Sequence, residues 1–458
     1  MNQNFYFGFT SPDDRLPIGK SGYANILNHL SPNQQPSSVT TRIRRVRLKD
    51  LILQKIRVAQ DLGPKKLLLL PFAQLIYLGI VAISKFIDVS IYCVSNDRFG
   101  HFVLDTELTR LTALERKFPR KWELNIYCSR YEKSSNKFLI KIWKRELHYI
   151  SGLLGSLIST LAQKSKKSNL CKAMHPFDIH LLLLKYPNTI RFSKNETSEG
   201  VSFLRNLGLG IEDPIVCLNV RDSAYLTNTE PISWSKKRDW SYHDHRNSNI
   251  DTYVRAAETL ANAGYAVFRM GAIVENRLKS NHPFIFDYAT NGMRTDFLDI
   301  FLGSQCAFTV STGSGWCSVS DLFRKPILFV NNLPIFAETL ALQHIVYPKI
   351  LQDNLTKNDL GLDEIIERNV HGSLFSAEYA HAGVKIKDLS SEELVEAVSE
   401  MAARVEGTFV ETTDQKQMQA KLNNILSTHP KLQPTPNYYP ITAKYASCFL
   451  SKYSNFLD

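Results

Sequence analysis

The chain has 458 residues, more than the roughly 250 to 300 at which a single hydrophobic core stops growing. Its hydrophobic (44%), aromatic (11%) and charged (22%) fractions are globular, which excludes a disordered chain, a coiled coil and a multi-span membrane protein. The formal charge of +11 calls for an acidic partner, namely nucleic acid, an anionic membrane or a phosphorylated substrate.

The seven cysteines are scattered, and they form neither a C-x-x-C motif nor a zinc-type cluster. We expect them to be reduced thiols. The first residues carry acids where a secretory signal would carry lysines, and no apolar stretch follows them directly. Both observations predict a cytoplasmic protein.

The positive charge is concentrated near the N-terminus. Residues 1–66 contain eleven Lys or Arg, four Asp and no Glu, which gives +7 of the total charge. Residues 1–40 are rich in Ser, Pro, Asn and Gln and lack periodicity, so they predict a mobile polar arm. Residues 41–85 join a basic amphipathic stretch to an apolar run at 67–83, which predicts a membrane-associating segment.

Two interpretations of residues 67–83 remain open. Basic residues ahead of an apolar run suit the anionic cytoplasmic face of the inner membrane, which favours a re-entrant or interfacial anchor and peripheral association. A run of this length can equally form a helical hairpin buried in the N-terminal domain. The arginines alternate with aliphatic residues rather than aromatic ones, so nucleic acid is not expected as a partner.

Strands and helices alternate through the rest of the chain, which predicts the α/β class. The first domain is expected at residues 86–206, with strands at 86–94 and 121–129 and helices at 104–116 and 140–163.

A second domain is expected at residues 207–430, after a connection rich in Gly and Pro. Five strand candidates alternate there with helices, which is typical of a parallel sheet covered on both faces. These candidates are residues 215–220, 265–271, 283–289, 306–313 and 326–332. Residues 431–458 are expected to form a C-terminal tail helix.

Polar residues and glycines follow the carboxyl ends of these strands. Ligands of parallel sheets bind at that edge, so we expect these residues to gather there and to bind a donor substrate. They are Arg221, Asp222, Arg269, Gly271, Asp287, Tyr288, Ser311, Thr312, Gly313, Ser314 and Gly315.

The turn at 311–315 predicts a diphosphate site, because small residues let phosphate approach backbone N–H groups at a helix start. An ordinary βα turn remains the alternative for the turn alone. Arg221 and Arg269 favour anion binding, because guanidinium groups grip phosphate oxygens. Tyr242, His243, Arg246 and Arg294 are further candidates for the donor site.

Metal is not expected at this site. The H-x-H of residues 243–245 has no further ligand at a convincing spacing, and the chain contains no D-x-D motif. The arginines would carry the diphosphate charge instead, and no cofactor is expected. In the first domain, Glu107 is the expected general base for an acceptor hydroxyl and His101 is the second choice.

Several long segments resemble a family of bacterial glycosyltransferases that is assigned mainly by similarity and associated with surface-polysaccharide gene clusters. They include VCLNVRDSAYL from Val216, DWSYHDHRNSNIDTYVRAAETLANAGYAVFRMG from Asp239, DYATNGMRTDFLDIFLGSQCAFTVSTGSGW from Asp287 and DRFGHFVLDTELTRL from Asp97. The resemblance covers nearly the whole chain from about Arg42. SVSDLF after GSGW departs from the family pattern, and so does the polar arm.

The resemblance implies a GT-B architecture, in which two Rossmann-like domains face a cleft, with the acceptor mainly on the first and the nucleotide-sugar mainly on the second. It also implies that certain residues matching its motifs would serve the donor. These are Arg221, Arg246, Arg269, Ser311, Thr312, Gly313 and Ser314.

The expected activity is transfer of a sugar from a nucleotide-sugar to a glycan or lipid-linked acceptor in bacterial surface polysaccharide synthesis. One alternative is a nucleotide-sugar epimerase of the same fold, which would act on the donor without an acceptor. Another is a non-catalytic, membrane-bound glycan-assembly protein, which no nucleotide-sugar would stabilise.

Overall fold

The computed structural model describes residues 48–115, 122–165, 169–176, 178, 180–228, 239–335, 344–432 and 444–457, with side chains from residue 64 onwards. The chain consists of two compact units, Met1–Asp61 and Leu62–Asp458. The predicted polar arm, 1–40, and the arginines at 42–47 lie outside the described residues. The β-sheets described below belong to the second unit, Leu62–Asp458.

The apolar run lies in a long helix, α1, which spans Leu48–Ile83. Its last turns bury Ala73, Tyr77 and Ile80 against the first sheet, with the spacing of one helix face. The segment is therefore a single helix with one packed face, and the buried hairpin that was the alternative interpretation does not form.

The first sheet is parallel and has the strand order β3-β2-β1-β4. Its elements are β1 (Asp88–Val94), α2 (Phe99–Glu115), β2 (Glu123–Ser129), α3 (Lys137–Glu146), β3 (His148–Ile150), α4 (Gly152–Lys164) and β4 (Cys171–Lys172), followed by α5 (Leu182–Lys185) and α6 (Lys194–Asn206).

The predicted continuous helix at 140–163 is wrong, because strand β3 interrupts it. The Tyr149 hydroxyl lies 2.7 Å from the Ser129 hydroxyl, and β3 pairs in parallel with β2. Gly152 then takes the left-handed conformation, with φ of +65°. A β-carbon on Gly155 would lie 2.1 Å from the Ile150 carbonyl oxygen, so the next helix packs directly on the strand.

The second sheet has seven strands in the order β13-β10-β9-β8-β5-β6-β7, and its strand pairings are parallel. The predicted α/β class and parallel sheet are confirmed. The elements are β5 (Ile215–Asn219), α7 (Ala224–Asn228), α8 (Val254–Asn262), β6 (Ala266–Arg269), β7 (Ile285–Phe286), α9 (Asp296–Gln305), β8 (Cys306–Ser311), α10 (Ser318–Leu322), β9 (Ile327–Asn332) and β10 (Ile345–Pro348).

The chain then leaves this sheet and returns to its edge. The remaining elements are β11 (Ile350–Asp353), α11 (Leu362–Glu367), α12 (Ser376–His381), β12 (Val384–Lys387), α13 (Ser391–Glu406), α14 (Thr413–Thr428), β13 (Lys444–Tyr445) and α15 (Ser447–Lys452). In the described part of the expected tail helix at 431–458, Tyr445 pairs with Val346 as an edge strand, and α15 and a short 3₁₀ helix (Ser454–Leu457) follow it.

One hydrophobic core joins the two sheets. The Phe138 ring of α3 meets the Phe297 ring of α9 edge-on, with centroids 5.1 Å apart. The Asn136 side-chain amide donates to the Asp296 carbonyl at 2.9 Å. Because residues 62–458 form one compact unit, the division at residue 206 into two domains facing a cleft stays a prediction.

Candidate functional site

The strand order of the second sheet indicates the edge at which a ligand is expected to bind. From β5 the chain adds β6 and β7 on one side, and then β8 and β9 on the other. The carboxyl ends of β5 and β8 therefore lie at the point where the strand order reverses, which is where such sheets bind ligands. Arg221 follows β5, and the 311–315 turn follows β8.

Hydrogen bonds hold these two carboxyl ends together. The Arg221 backbone N–H donates to the Thr312 hydroxyl at 2.9 Å, and the Thr312 N–H donates to the Asn219 carbonyl at 3.2 Å. The Ser314 hydroxyl donates to the Asn219 side-chain oxygen. Residues that are 90 or more positions apart in sequence thus form one rigid edge.

The turn itself presents backbone donors. Gly313 has φ of +71°, a left-handed conformation that favours glycine. Its N–H donates to the Ser311 hydroxyl, and the Trp316 N–H donates to the Ser314 hydroxyl. Within the described part of the chain, the N–H groups of Ser314 and Gly315 donate to no other group. They are available to an acceptor from a ligand.

Two guanidinium groups lie beside this turn. Arg246, at the end of a short 3₁₀ helix (Ser241–Arg246), donates to the Gly313 carbonyl. Arg221 donates to the His243 carbonyl and to the Asn247 side-chain oxygen, both at 2.9 Å. We call Arg221, Arg246 and the 311–315 turn the arginine site.

The electrostatics of the arginine site favour an anion. Burial and then Arg246 lower the pKa of Arg221 to about 10. Burial, Arg246 and Arg221 lower the pKa of His243 to about 4, and burial and Arg246 lower that of His245 to about 3. Both imidazoles are therefore neutral at neutral pH, and a bound anion would relieve the repulsion between the two arginines.

Arg269 does not join this site. Its side chain is fully buried, with its guanidinium 3.9 Å from Asp222 and 3.6 Å from Asp287. Burial lowers its pKa, and the two carboxylates oppose that change. Among the described residues none of its three guanidinium nitrogens has a hydrogen-bond partner, and its predicted part in phosphate binding stays a prediction.

The other predicted donor residues lie around Arg269 or in separate ion pairs. Asp287 accepts from the Leu278 N–H at 3.1 Å, and Gly271 follows β6 with φ of +156°. Tyr288 is fully buried and donates to Asp299 at 3.1 Å. Arg294 lies 2.7 Å from the same Asp299 carboxylate, so this arginine is engaged within the protein.

The first sheet contributes the opposite wall. The loop after β1 places the Arg98 guanidinium 5.7 Å from the centroid of the Trp240 ring. Burial raises the pKa of Tyr225, and Asp97 of the same loop adds to that increase, so this loop faces the second sheet. A β-carbon on Gly100 would lie 2.8 Å from the Gly315 α-carbon. The start of α2 therefore touches the arginine site.

A histidine–carboxylate pair lies in the first turns of α2. His101 Nδ1 is 2.9 Å from Asp105, and the His101 side chain is 31% exposed. Burial lowers the pKa of His101, but the charge and hydrogen bond of Asp105 outweigh it, so the pKa is raised. Because Nδ1 is bonded to Asp105, Nε2 is the nitrogen through which this imidazole would accept a proton from a substrate.

Glu107 lies elsewhere, which corrects its expected place in the cleft. Its side chain is fully buried and accepts from Arg110 Nε and Arg324 Nη2, both at 2.8 Å. Helix α10 packs on α2 at this position, so both faces of α2 are covered. A carboxylate that is fully buried and bound by two guanidinium groups has no access to substrate, so Glu107 fits a structural role.

Replacing Glu107 with glutamine is expected to lower the free energy of unfolding by about 3 kcal/mol, because two buried arginines lose their counter-charge. The catalytic rate per folded molecule should stay unchanged. Glu115→Gln, which breaks the exposed pair with Lys185, is the matched control and should change stability little. Urea unfolding and kcat would be measured for both variants, and a stable but inactive Glu107→Gln variant would restore the catalytic role.

Three residues of the site were not predicted. Asn219 is buried and ends an otherwise apolar strand, which is a signal that the sequence did contain. Trp240 carries no distinguishing pattern. Lys349 is buried and donates to the Asn247 carbonyl and to Asp388, both at 2.6 Å, but nothing in the sequence connects it to Arg221.

Among the residues that the structure describes, no group of three His, Cys, Asp or Glu side chains could hold a metal ion. The described part of the second sheet contains a cavity of about 380 Å³ beside the arginine site, lined by residues that include Asp222, Asn247 and Arg269.

No family model matches the chain, and no curated protein matches it. Three solved structures are similar to it. Escherichia coli ADP-heptose LPS heptosyltransferase II is 11% identical with a TM-score of 0.40, over 69% of this chain and 100% of that one. A glycosyl transferase family 9 protein from Veillonella parvula is 12% identical with a TM-score of 0.41, over 70% and 98%.

The third is the dodecameric iron-containing heptosyltransferase TibC in complex with ADP-D-beta-D-heptose. It is 12% identical with a TM-score of 0.26, over 54% of this chain and 60% of that one. These three proteins are glycosyltransferases. Because all three TM-scores lie below 0.5, the similarities establish neither the fold nor the activity of this chain.

Proposed function

We propose that the protein is a glycosyltransferase that moves a sugar from a nucleotide-sugar to a glycan or lipid-linked acceptor. The observation that carries the proposal is the arginine site, two guanidinium groups and a glycine turn at the reversal point of a parallel sheet, against which the start of α2 packs at Gly100. The sequence resemblance supports a place in bacterial surface polysaccharide synthesis.

In this proposal the arginine site binds the donor diphosphate. As the bond between the anomeric carbon and the diphosphate oxygen breaks, negative charge develops on the leaving nucleotide. Arg221, Arg246 and the N–H groups of Ser314 and Gly315 lie where they can stabilise that charge. The reaction would then need no metal ion, and excess EDTA would leave the rate unchanged.

The acceptor hydroxyl would react from the side of the first sheet. Its oxygen forms the new bond to the anomeric carbon, and its proton passes to His101 Nε2. Asp105 orients the ring through Nδ1 and stabilises the imidazolium that forms. This assigns the base to His101, because Glu107 is buried between two arginines.

The first test is a thermal-shift screen of the full-length protein with UDP-, GDP- and CDP-sugars and CMP-sugars. A nucleotide-sugar at 100 times its Kd should stabilise the fold by about 2.7 kcal/mol. The stabilising donor is then incubated with and without candidate acceptors, and the products are analysed. Stabilisation by none of the donors, or conversion of the donor sugar to its epimer without acceptor, would contradict the proposal.

The pH dependence of transfer tests the base. His101 must be neutral to accept a proton, so kcat/KM should rise with pH through its raised pKa, above 6.5, and then level off. Asp105→Asn removes the charge that raises the pKa and should move this limb to lower pH while reducing the maximal rate. An identical pH profile for Asp105→Asn and wild type would exclude His101 as the base.

A further inference from the structure

The outer face of α1 is apolar and exposed. The stretch Pro64–Ile83 is long and apolar enough, by length and composition alone, to cross a membrane. Six large side chains on it are between 43% and 81% exposed: Leu67, Leu68, Phe72, Leu75, Leu78 and Ile83. A helix on the surface of a water-soluble domain normally carries polar residues there.

The inner face shows that the helix does not cross a bilayer. Ala73, Tyr77 and Ile80 are buried in a cluster with Ile91 of β1 and Ile158 of α4. Insertion across a membrane would separate these side chains from the sheet that covers them. The helix therefore stays packed on the first sheet, and only its outer face is available to a partner.

Lysines lie beyond both ends of this face, and two exposed aromatic residues lie near its C-terminal end. Lys65 and Lys66 precede it and Lys85 follows it, with no charged residue between. Phe86 is 80% exposed and Trp122 is 86% exposed. The Asp88 N–H donates to the Trp122 carbonyl at 2.8 Å, so the two aromatic residues start neighbouring strands at the same end of α1. Lysine and tryptophan are enriched where a membrane meets water.

We propose that the outer face of α1, with Phe86 and Trp122, inserts into one leaflet of an anionic bilayer, with the helix axis in the membrane plane. This inference is independent of the proposed sugar transfer. A bilayer fits better than a second copy of the chain, because lysines at both ends of two paired helices would repel one another. It also fits better than residues 1–40, which lack a periodic apolar face to cover the helix.

The test is co-sedimentation of the full chain with vesicles. The wild type should bind vesicles of phosphatidylcholine mixed with phosphatidylglycerol more tightly than vesicles of phosphatidylcholine alone. The triple variant Leu68→Gln, Leu75→Gln and Leu78→Gln should lose at least ~10-fold in partitioning. The control variant Leu355→Gln with Val410→Gln, whose side chains are 92% and 83% exposed elsewhere, should bind like wild type.

Further measurements keep the outcomes distinct. Circular dichroism should show the triple variant folded, because its three side chains are exposed. Trp122→Phe identifies the fluorescence that Trp122 contributes. In the wild type, that contribution should shift to shorter wavelengths when anionic vesicles are added. Wild type that stays in the supernatant, or a triple variant that binds equally, would overturn the proposal. A wild-type dimer that is lost in the triple variant would also overturn it. So would vesicle binding that the triple variant retains and that disappears only when residues 1–47 are deleted.

Discussion

Replacing Arg221 with alanine is expected to lower kcat/KM for sugar transfer by about 100-fold or more, the size of effect seen when one preorganised donor to a developing anion is removed. Its guanidinium donates to the His243 carbonyl of the 240–249 loop, and its backbone N–H donates to the Thr312 hydroxyl of the 311–315 turn. The same variant should lose most of its stabilisation by the donor in a thermal-shift assay. Initial rates and donor titrations measure both effects.

The control separates charge from loop structure. Arg221 also holds the Asn247 side chain, so part of any loss could come from a loosened loop. Asn247→Ala breaks that contact and keeps the guanidinium, and the Lys349 hydrogen bond to the Asn247 carbonyl remains possible. It should retain most of the activity. If Arg221→Ala were as active as wild type, the donor phosphates could not bind at the arginine site.

Replacing Gly100 with alanine is expected to destabilise the fold by about 1–3 kcal/mol and to remove most of the activity. The new β-carbon would lie 2.8 Å from the Gly315 α-carbon and 3.0 Å from its carbonyl oxygen, and backbone atoms cannot move aside as a flexible side chain can. Helix α2 and the 311–315 turn would be pushed apart, which displaces both His101 and the backbone donors of the turn.

Gly372→Ala is the matched control, because a β-carbon there meets nothing within 4 Å. Chemical denaturation and transfer rates would be measured for both variants. Wild-type stability in Gly100→Ala would mean that the two sheets can separate at this point without penalty, as two domains across a cleft would. The experiment therefore also tests the arrangement of the sheets.

Most of the second sheet could be predicted because its strands are buried on both faces. Such strands are short continuous apolar runs, and the helices between them end in caps and glycines that local sequence specifies. Strands β5, β8 and β9 lie within the predicted segments. The helix expected at 140–163 was wrong because pairing with β2, a non-local contact, overrode the helical pattern of residues 147–150.

The candidate site likewise has a part that short-range sequence rules predict and a part that depends on contacts between distant residues. Arg221 and the 311–315 turn could be placed together because carboxyl ends of parallel strands share one edge, a rule that needs only the strand assignments. Arg269 and Glu107 looked equally suitable as ligand-binding residues, but both side chains are buried. Neither residue type nor position along the chain shows that α10 covers Glu107 or that Asp222 and Asp287 enclose Arg269.

The sequence by itself determined the α/β class, the parallel sheet, the strand-end arginine and the apolar helix, because each depends on short-range periodicity or on residue type. Only the tertiary structure decided which charged groups are exposed, which face of α1 is covered and which side chains of α2 are buried. Those properties depend on contacts between residues far apart in the chain, and such contacts set the solvation that separates a catalytic carboxylate from a buried ion pair.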